Sequence, residues 1–123
     1  MAKQQIGIGV IGMGWMGQVH SRSYRLIPQR FPDMTVTPRF VICSDNVASR
    51  AEQAQELQGF EQSSSNWQDV IAHPDVQIVN IATPNFLHQE IVEAAASAGK
   101  HIFCEKPVGR TPQETLAIAE IAE

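Results

Sequence analysis

At 123 residues the chain has the size of a single domain with one core. Hydrophobic residues make up 43% of it and charged residues 18%, a balance that excludes a disordered chain. The formal charge of -4 and the lack of a basic run argue against a nucleic-acid partner. No apolar run approaches the roughly 20 residues of a membrane-spanning helix. The glycine-interrupted start predicts no secretory signal.

The cysteines and histidines are too scattered to predict a metal site. Cys43 and Cys104 lie 61 positions apart and are expected to be ordinary buried thiols. The histidines have no spacing typical of metal ligands; they are His20, His73, His88 and His101. We therefore predict no metal ligands in this chain.

The first half of the sequence alternates strand and helix patterns. Residues 5–11 predict a buried strand, and the apolar spacing over residues 15–27 predicts a helix that ends at Pro28. After a long connection, residues 39–44 predict a second buried strand. Asn46 is expected to cap the next helix. The buried face and the end of that helix are predicted at Val47, Ala51, Ala54, Leu57 and Gly59.

The second half continues the alternation. Thr111, followed by Pro112 and by Glu114 three residues after the cap, predicts a capping box at the start of the last helix. In chain order the predicted elements are an ambiguous segment at 60–65 that admits a short edge strand, a short helix at 66–72, a strand at 76–82, a helix at 86–98, a strand at 101–104 and the helix capped by Thr111.

Strands that alternate with helices of about 10 to 15 residues predict an α/β fold with a doubly wound parallel sheet. Ligands bind such sheets outside the carboxyl ends of the strands. Gly12, Asp45, Thr83 and Glu105 all follow predicted strands. We therefore expect the functional residues along one rim of a single domain, residues 1–123.

A cluster of glycines marks the end of the first strand. The motif G-x-G-x-x-G fits it in two frames, and only the frame over residues 12–17 follows a strand and precedes a helix. In that frame Gly12 permits a tight turn, Gly14 lets the backbone approach a pyrophosphate, and Gly17 lets the helix lie close to the sheet. The helix N-terminus offers N–H groups to phosphates. Dinucleotide binding is therefore favoured over a purely structural turn.

Asp45 is the candidate for recognition of the adenosine ribose. It lies 28 residues after Gly17, beyond the usual distance of about 20, because the connection before the second strand is long. A carboxylate there accepts hydrogen bonds from ribose hydroxyls and repels a 2′-phosphate, which favours NAD over NADP. Two alternatives stay open: Asp45 as a solvated helix cap, and Arg50 as a phosphate ligand that admits NADP.

Four motifs together resemble the N-terminal half of the Gfo/Idh/MocA oxidoreductases. They are G-M-G-W-M-G at 12–17, A-T-P-N-F-L-H at 82–88, A-G-K-H at 98–101 and C-E-K-P at 104–107. The resemblance extends from about residue 6 to residue 123. It implies a Rossmann-type domain of three α/β/α layers in a cytoplasmic, NAD(P)-dependent dehydrogenase that acts on a sugar, a polyol or a related hydroxyl or carbonyl compound.

The resemblance also assigns roles to single residues. Lys106 matches a lysine that in the family lies beside the nicotinamide and hydrogen-bonds the substrate oxygen, where it polarises the reacting group and takes part in proton transfer. Without the resemblance, Lys106 would be a surface lysine and His88 a helix-surface histidine. The residues implied to bind the cofactor are Gly12, Gly14, Trp15, Met16, Gly17, Asp45, Thr83, Pro84, Asn85, His88 and Glu105.

Members of the family follow this domain with a larger α/β domain, which the 123 residues lack. We therefore expect the chain to stop before the last strand of its sheet and to bind NAD without turnover. The alternative is a free-standing, non-catalytic NAD-binding sensor or interaction module. The intact motif around Lys106 favours the dehydrogenase, because a pure binder has no need of it. The choice between a monomer and a homo-oligomer stays open.

Overall fold

The computed structural model describes residues 3–123, so the first two residues of the predicted domain lie outside it. Five strands form one sheet in the order β3-β2-β1-β4-β5, and all neighbouring strands are parallel. The strands are β1 (Gln4–Ile11), β2 (Val36–Ser44), β3 (Gln62–Ser64), β4 (Ile78–Ile81) and β5 (His101–Cys104). The predicted doubly wound parallel sheet is confirmed.

Five helices connect and flank the strands. They are α1 (Trp15–Arg30), α2 (Ala48–Gln58), α3 (Trp67–Ala72), α4 (His88–Ser97) and α5 (Pro112–Ala122). Because the chain moves outward from β1 to β3 and then returns to place β4 on the other side of β1, the strand order reverses between β1 and β4. In open parallel sheets this reversal opens a crevice at the carboxyl ends of the two strands.

Two apolar clusters lie on opposite faces of the sheet. The first joins β1 and β2 to α1 and α2 through Ile8, Val10, Met13, Cys43, Ala54 and Phe60. The second joins the sheet to α3, α4 and α5 and includes Ile11, Val41, Val70, Val79, Ile91 and Ile118. Side chains on a strand alternate between faces, and β1 accordingly contributes Ile8 and Val10 to one cluster and Ile11 to the other. The three-layer α/β/α arrangement is therefore confirmed.

Pro28 lies inside α1, so its prediction as the end of this helix was wrong. Proline has no N–H to donate to the carbonyl four residues earlier, but this loss falls in the last turn of the helix. The N–H of Phe31 still donates to the carbonyl of Ile27 at 2.8 Å and closes that turn. The helix therefore continues for a few residues beyond the proline.

Strand β2 begins at Val36, earlier than the predicted start at residue 39. It includes Pro38, which lies opposite Ile6 of β1. On its other side β2 pairs with β3 only at residues 42–44. Proline is tolerated where a strand has a neighbour on one side only, because the missing N–H then faces no acceptor.

The predicted cap of α2 was also wrong. The residue at the N-cap position is Val47 rather than Asn46, and no side chain caps the helix. The Asp45 carboxylate accepts a hydrogen bond from the N–H of Val47 at 2.9 Å. The acceptor in this turn is Asp45 rather than Asn46. The helix therefore begins later than predicted.

Two features of α2 agree with the sequence and one does not. Gly59 adopts the predicted left-handed conformation, with a φ of +79°. Ala51 and Ala54 are buried as predicted, but Val47 is exposed, and so is Leu57. Gln58 is buried in its place, and its side-chain amide contacts Gln18 of α1 at 3.3 Å. The buried stripe of α2 is therefore rotated by one residue near its C-terminal end.

The three remaining helices keep their predicted positions, and α3 begins one residue later than predicted. The predicted helix at 86–98 is divided into a 3₁₀ turn at Asn85–Leu87 and α4. At the start of α5 the Thr111 hydroxyl accepts the N–H of Glu114 at 3.1 Å, as a capping box requires. The Glu114 carboxylate accepts the N–H of Arg110, at 3.2 Å, in place of that of the cap residue.

Both cysteines are free thiols. Burial raises the pKa of Cys43 to about 12, which makes it an inert core residue. Cys104 is only partly buried, contrary to the prediction; burial, reinforced by the nearby charge of Glu105, raises its pKa to about 11. Across residues 3–123, none of the helices combines the length and apolar character needed to cross a membrane.

Candidate functional site

The glycine turn after β1 is built by close backbone approaches. Gly12 has a φ of +92°, and a Cβ there would lie 2.7 Å from the carbonyl oxygen of Ala82. A Cβ on Gly17 would collide with the carbonyl oxygen of Gly12. A Cβ on Gly14 would meet no atom within 4 Å, so the loop is open on that side. Two glycines therefore fix the turn and the third leaves room beside it.

The N-terminus of α1 begins at this turn and is uncapped. Gly14 occupies the N-cap position without a side-chain hydrogen bond, and the first turn holds no acidic residue. The first N–H groups of a helix have no acceptors within the helix, and they carry partial positive charge. The first turn also contains Trp15, which is 76% exposed, and the half-buried Met16. This end of α1 is suited to receive an anion such as a phosphate.

Asp45 joins the end of β2 to the glycine turn. One carboxylate oxygen accepts the N–H of Met13 and the other accepts that of Val47, both at 2.9 Å. A guanidinium nitrogen of Arg50 lies 3.6 Å from the carboxylate. Asp45 is only 7% exposed, so the alternative of a solvated helix cap was wrong. Each carboxylate oxygen can still accept a further hydrogen bond on its second lone pair.

A cleft of about 460 Å³ opens where β1, β2 and β4 end. Two hydroxyls in its wall, those of Ser44 and Thr83, are buried without any hydrogen-bond partner among residues 3–123. Buried polar groups are seldom left unpaired, so these two are suited to contact a polar ligand. The lining residues most relevant to recognition are Gly12, Gly14, Asp45, Arg50, Ser65, Trp67, Thr83, Pro84 and Phe86.

His88 lies between two loops and is 1% exposed, unlike a helix-surface histidine. Its Nδ1 atom is 2.8 Å from the carbonyl oxygen of Val108, and its Nε2 atom is 3.0 Å from that of Thr83. The ring thus links the loop after β4 to the segment that precedes α5. A contact between His88 and a cofactor stays a prediction.

Glu105 and Lys106 follow β5 at the other end of the same rim. One Glu105 oxygen lies 2.7 Å from Nε2 of His20, and the other accepts the backbone N–H of Lys106 at 2.9 Å. The Lys106 side chain is exposed, and its ammonium has no hydrogen bond or ion pair with any other residue from 3 to 123. The predicted catalytic lysine is therefore exposed and unpaired within residues 3–123.

The structure brings only part of the predicted site together. The predicted residues that line the cleft are Gly12, Gly14, Asp45, Thr83 and Pro84. Those that lie outside its lining are Trp15, Met16, Gly17, Asn85, His88, Glu105 and Lys106. Their roles stay predictions.

Sequence reasoning missed residues of the cleft wall and residues linked to Glu105. The cleft residues are Ser44, Ser65 and Trp67. His20, which contacts Glu105, follows Gly17 by less than one helical turn, and Asn80 contacts His20. Asn80 lies in the apolar run of β4 and is completely buried. A single amide among buried aliphatic residues was the signal that could have identified it, because buried polar groups need partners.

A glycine turn after β1, an uncapped helix N-terminus and an acidic residue after β2 define a dinucleotide-binding domain. A family profile described as "Oxidoreductase family, NAD-binding Rossmann fold" matches residues 6–123. The chain belongs to this family, the Gfo/Idh/MocA oxidoreductases, and is its NAD-binding domain. The resemblance in the sequence motifs is confirmed.

Relatives include dehydrogenases of sugars and polyols. Over 116 residues the chain is 47% identical to levoglucosan dehydrogenase of Pseudarthrobacter phenanthrenivorans, covering 94% of this chain and 30% of that protein. It is 36% identical over 116 residues to inositol 2-dehydrogenase of Gluconacetobacter diazotrophicus, covering 94% and 32%. A solved structure of levoglucosan dehydrogenase in complex with NADH has a TM-score of 0.92 at 42% identity, covering 96% of this chain and 32% of that one. The chain spans about a third of the length of these relatives.

Proposed function

We propose that this chain binds NAD across the carboxyl ends of β1, β2 and β4 and serves an oxidoreductase that acts on a sugar or polyol. The observation that carries the proposal is the buried Asp45 carboxylate, which two backbone N–H groups hold beside the glycine turn. A fixed acceptor next to an uncapped helix end matches the ribose and the pyrophosphate of a dinucleotide.

The residues of the cleft fit the chemistry of NAD. Asp45 would accept hydrogen bonds from the adenosine ribose, and the N–H groups of Trp15 and Met16 would face the pyrophosphate. The unpaired hydroxyls of Ser44 and Thr83 add two polar groups in the cleft wall. The negative charge of Asp45 disfavours a 2′-phosphate, so NAD is proposed over NADP, although Arg50 lies within reach of the same position.

Lys106 is proposed as the catalytic residue. NAD, when bound, supplies the hydride acceptor or donor. The Lys106 ammonium would hydrogen-bond the substrate oxygen, polarise the reacting carbonyl or hydroxyl, and move a proton at Nζ. The support is its place at the carboxyl end of β5, with the side chain exposed. We include Gly12, Gly14, Gly17, Pro84, Asn85, His88 and Glu105 in the proposed cofactor site, as contacts or as supports of the loops that make them.

The proposal also covers the substrate, the compartment and the partners of the protein. The family resemblance and the names of the relatives favour a sugar or polyol as substrate. Both thiols are free, as in proteins of a reducing compartment, which favours the cytoplasm. The negative formal charge favours no nucleic-acid partner. A single domain over residues 1–123 completes the proposal. A non-catalytic NAD-binding module is the second candidate, favoured by the open surroundings of Lys106.

A fluorescence titration tests the cofactor. Trp67 lines the cleft and Trp15 begins α1, so NADH should quench tryptophan emission or accept energy from it. The variants Trp15→Phe and Trp67→Phe each leave one reporter. We expect both variants to respond to NADH and to respond less to NADPH. If neither responds at about 1 mM NADH, the upper end of common KM values, the cofactor assignment is wrong.

A further inference from the structure

A chain of four hydrogen-bonded side chains connects α1 to the end of β5. The Tyr24 hydroxyl donates to the side-chain oxygen of Asn80 at 3.0 Å, and the Asn80 amide nitrogen lies 2.8 Å from Nδ1 of His20. Nε2 of His20 lies 2.7 Å from Glu105. The other oxygen of that carboxylate accepts the backbone N–H of Lys106. This row of hydrogen bonds therefore ends at the backbone of the proposed catalytic residue.

The direction of each hydrogen bond is set by the chemistry of its partners. The Tyr24 hydroxyl donates to the Asn80 oxygen, and burial, which raises the pKa of Tyr24, keeps this phenol neutral. The Asn80 nitrogen then faces His20, and an amide nitrogen can only donate. Nδ1 of His20 must accept, so the ring hydrogen lies on Nε2 and is donated to Glu105. The His20 ring also packs edge to face against Phe103, with the ring centroids 5.5 Å apart and an interplanar angle of 87°.

These four hydrogen-bonded side chains anchor the backbone at Lys106. The N–H of Glu105 donates to the carbonyl of Ile81, as the last bond of the ladder between β4 and β5. Beyond it the chain leaves the sheet, and the N–H of Lys106 depends on the Glu105 carboxylate. That carboxylate is in turn held by a histidine of α1, the helix that begins at the glycine turn. His20 thus ties the backbone of Lys106 to the helix proposed to receive the pyrophosphate.

We propose that His20 is a positioning residue: as the Nε2–H tautomer, it holds Glu105 so that the backbone of Lys106 keeps a fixed position relative to the N-terminus of α1. The inference rests on the proposed function, because a fixed lysine matters only if Lys106 acts on a substrate beside the cofactor. A charge-assisted hydrogen bond of this kind is stronger than a neutral one, and its loss frees both the carboxylate and the loop.

Two variants of His20 distinguish the contact made by Nε2 from the contact made by Nδ1. In His20→Gln the side-chain amide reaches the position of Nε2 and can still donate to Glu105. In His20→Asn the side chain is shorter, so it can contact Asn80 but not Glu105. The same pair of changes at His101, which is exposed at the start of β5, provides the matched control.

The test is NMR spectroscopy of the unliganded chain at pH 7.5. Nitrogen spectra of the ring should show the hydrogen of His20 on Nε2 alone. Amide exchange at Lys106 should be about tenfold faster in His20→Asn, since the lost bond involves a charged group. It should stay within about threefold of the wild-type rate in His20→Gln and in both His101 variants.

Three results would overturn the proposal: a ring hydrogen on Nδ1, a ring protonated on both nitrogens, or equal exchange rates at Lys106 in the two His20 variants. An NADH titration of the same samples keeps the two proposals apart. If the wild-type chain fails to bind NADH, the proposed function is wrong, whereas the tautomer and the exchange rates are measured without cofactor.

Discussion

The two halves of the carboxyl rim differ in how completely the chain builds them. Where β1 and β2 end, Asp45 is buried and both its oxygens are held by backbone N–H groups. Where β5 ends, Lys106 is exposed, and its ammonium forms no hydrogen bond or ion pair with the other described residues. The first half is already organised for a ligand, whereas the second presents an exposed lysine whose proposed role is catalytic.

Under the proposed function, this difference separates nucleotide binding at one half of the rim from substrate chemistry at the other. Recognition of a nucleotide needs acceptors and N–H groups at fixed positions, and one domain can supply them. Proton transfer to a substrate also needs orientation of the substrate and exclusion of water. Since the chain spans about 30% of levoglucosan dehydrogenase, partners for Lys106 are expected from the part of such relatives that it does not match.

The largest effect is expected from Lys106→Ala. The test uses an enzyme in which this chain replaces the matching N-terminal 30% of levoglucosan dehydrogenase. Turnover should fall by about 100-fold to 10,000-fold, the usual contribution of a proton-transferring side chain. The Kd for NADH should change by less than about threefold, because the lysine is absent from the cleft lining. Unchanged turnover would remove Lys106 from the chemistry.

Asp45→Ala tests the organised half of the rim, with a smaller effect. Loss of a charged acceptor for the ribose should weaken NAD binding by about 10-fold to 100-fold. The binding of NADP should weaken less, because the change also removes a repulsive charge. Isothermal titration of both cofactors gives the ratio of the two Kd values, and any loss of folded protein affects both equally. An unchanged ratio would contradict the role of Asp45 in discrimination.

The smallest effect is expected from Thr111→Ala. This change removes the cap of α5, the helix that follows β5, and alters no residue of the rim. Loss of the cap of α5 should lower the free energy of unfolding by about 1 kcal/mol, as measured by urea denaturation. Thr111→Ser keeps the hydroxyl and should retain most of the stability. The Kd for NADH should be the same in all three proteins. A weaker Kd in Thr111→Ala alone would show that the two halves are coupled through α5.

Local signals in the sequence predicted most of the fold. The left-handed Gly59 and the Thr111 cap act within a few residues, so their effects could be read without tertiary structure. Pro28 and Leu57 were predicted wrongly because their outcomes depend on position in the assembled molecule. A proline in a last turn costs little, and a leucine remains exposed when its neighbour Gln58 takes the buried position.

The candidate site also contains features that local sequence predicts and features that depend on the tertiary structure. The glycine turn could be predicted because G-x-G-x-x-G is a contiguous motif with a known geometric requirement. The link between His20 and Glu105 could not, because the two residues are distant in sequence and meet only through the order of the strands. The burial of His88 could not be predicted from its own helix, because its contact with Val108 depends on how the segment before α5 folds back.

Gly7 and Gly9 lie outside the chosen frame, yet their lack of side chains has a consequence for protein engineering. A Cβ on Gly7 would collide with the carbonyl oxygen of Asp75, and one on Gly9 would lie 2.5 Å from Val70. The segment that leads from α3 into β4 can therefore lie directly against β1. Transplanting residues 12–17 alone into another parallel sheet would not bring the α3–β4 segment against the first strand, so the two strand glycines belong to the smallest transferable unit.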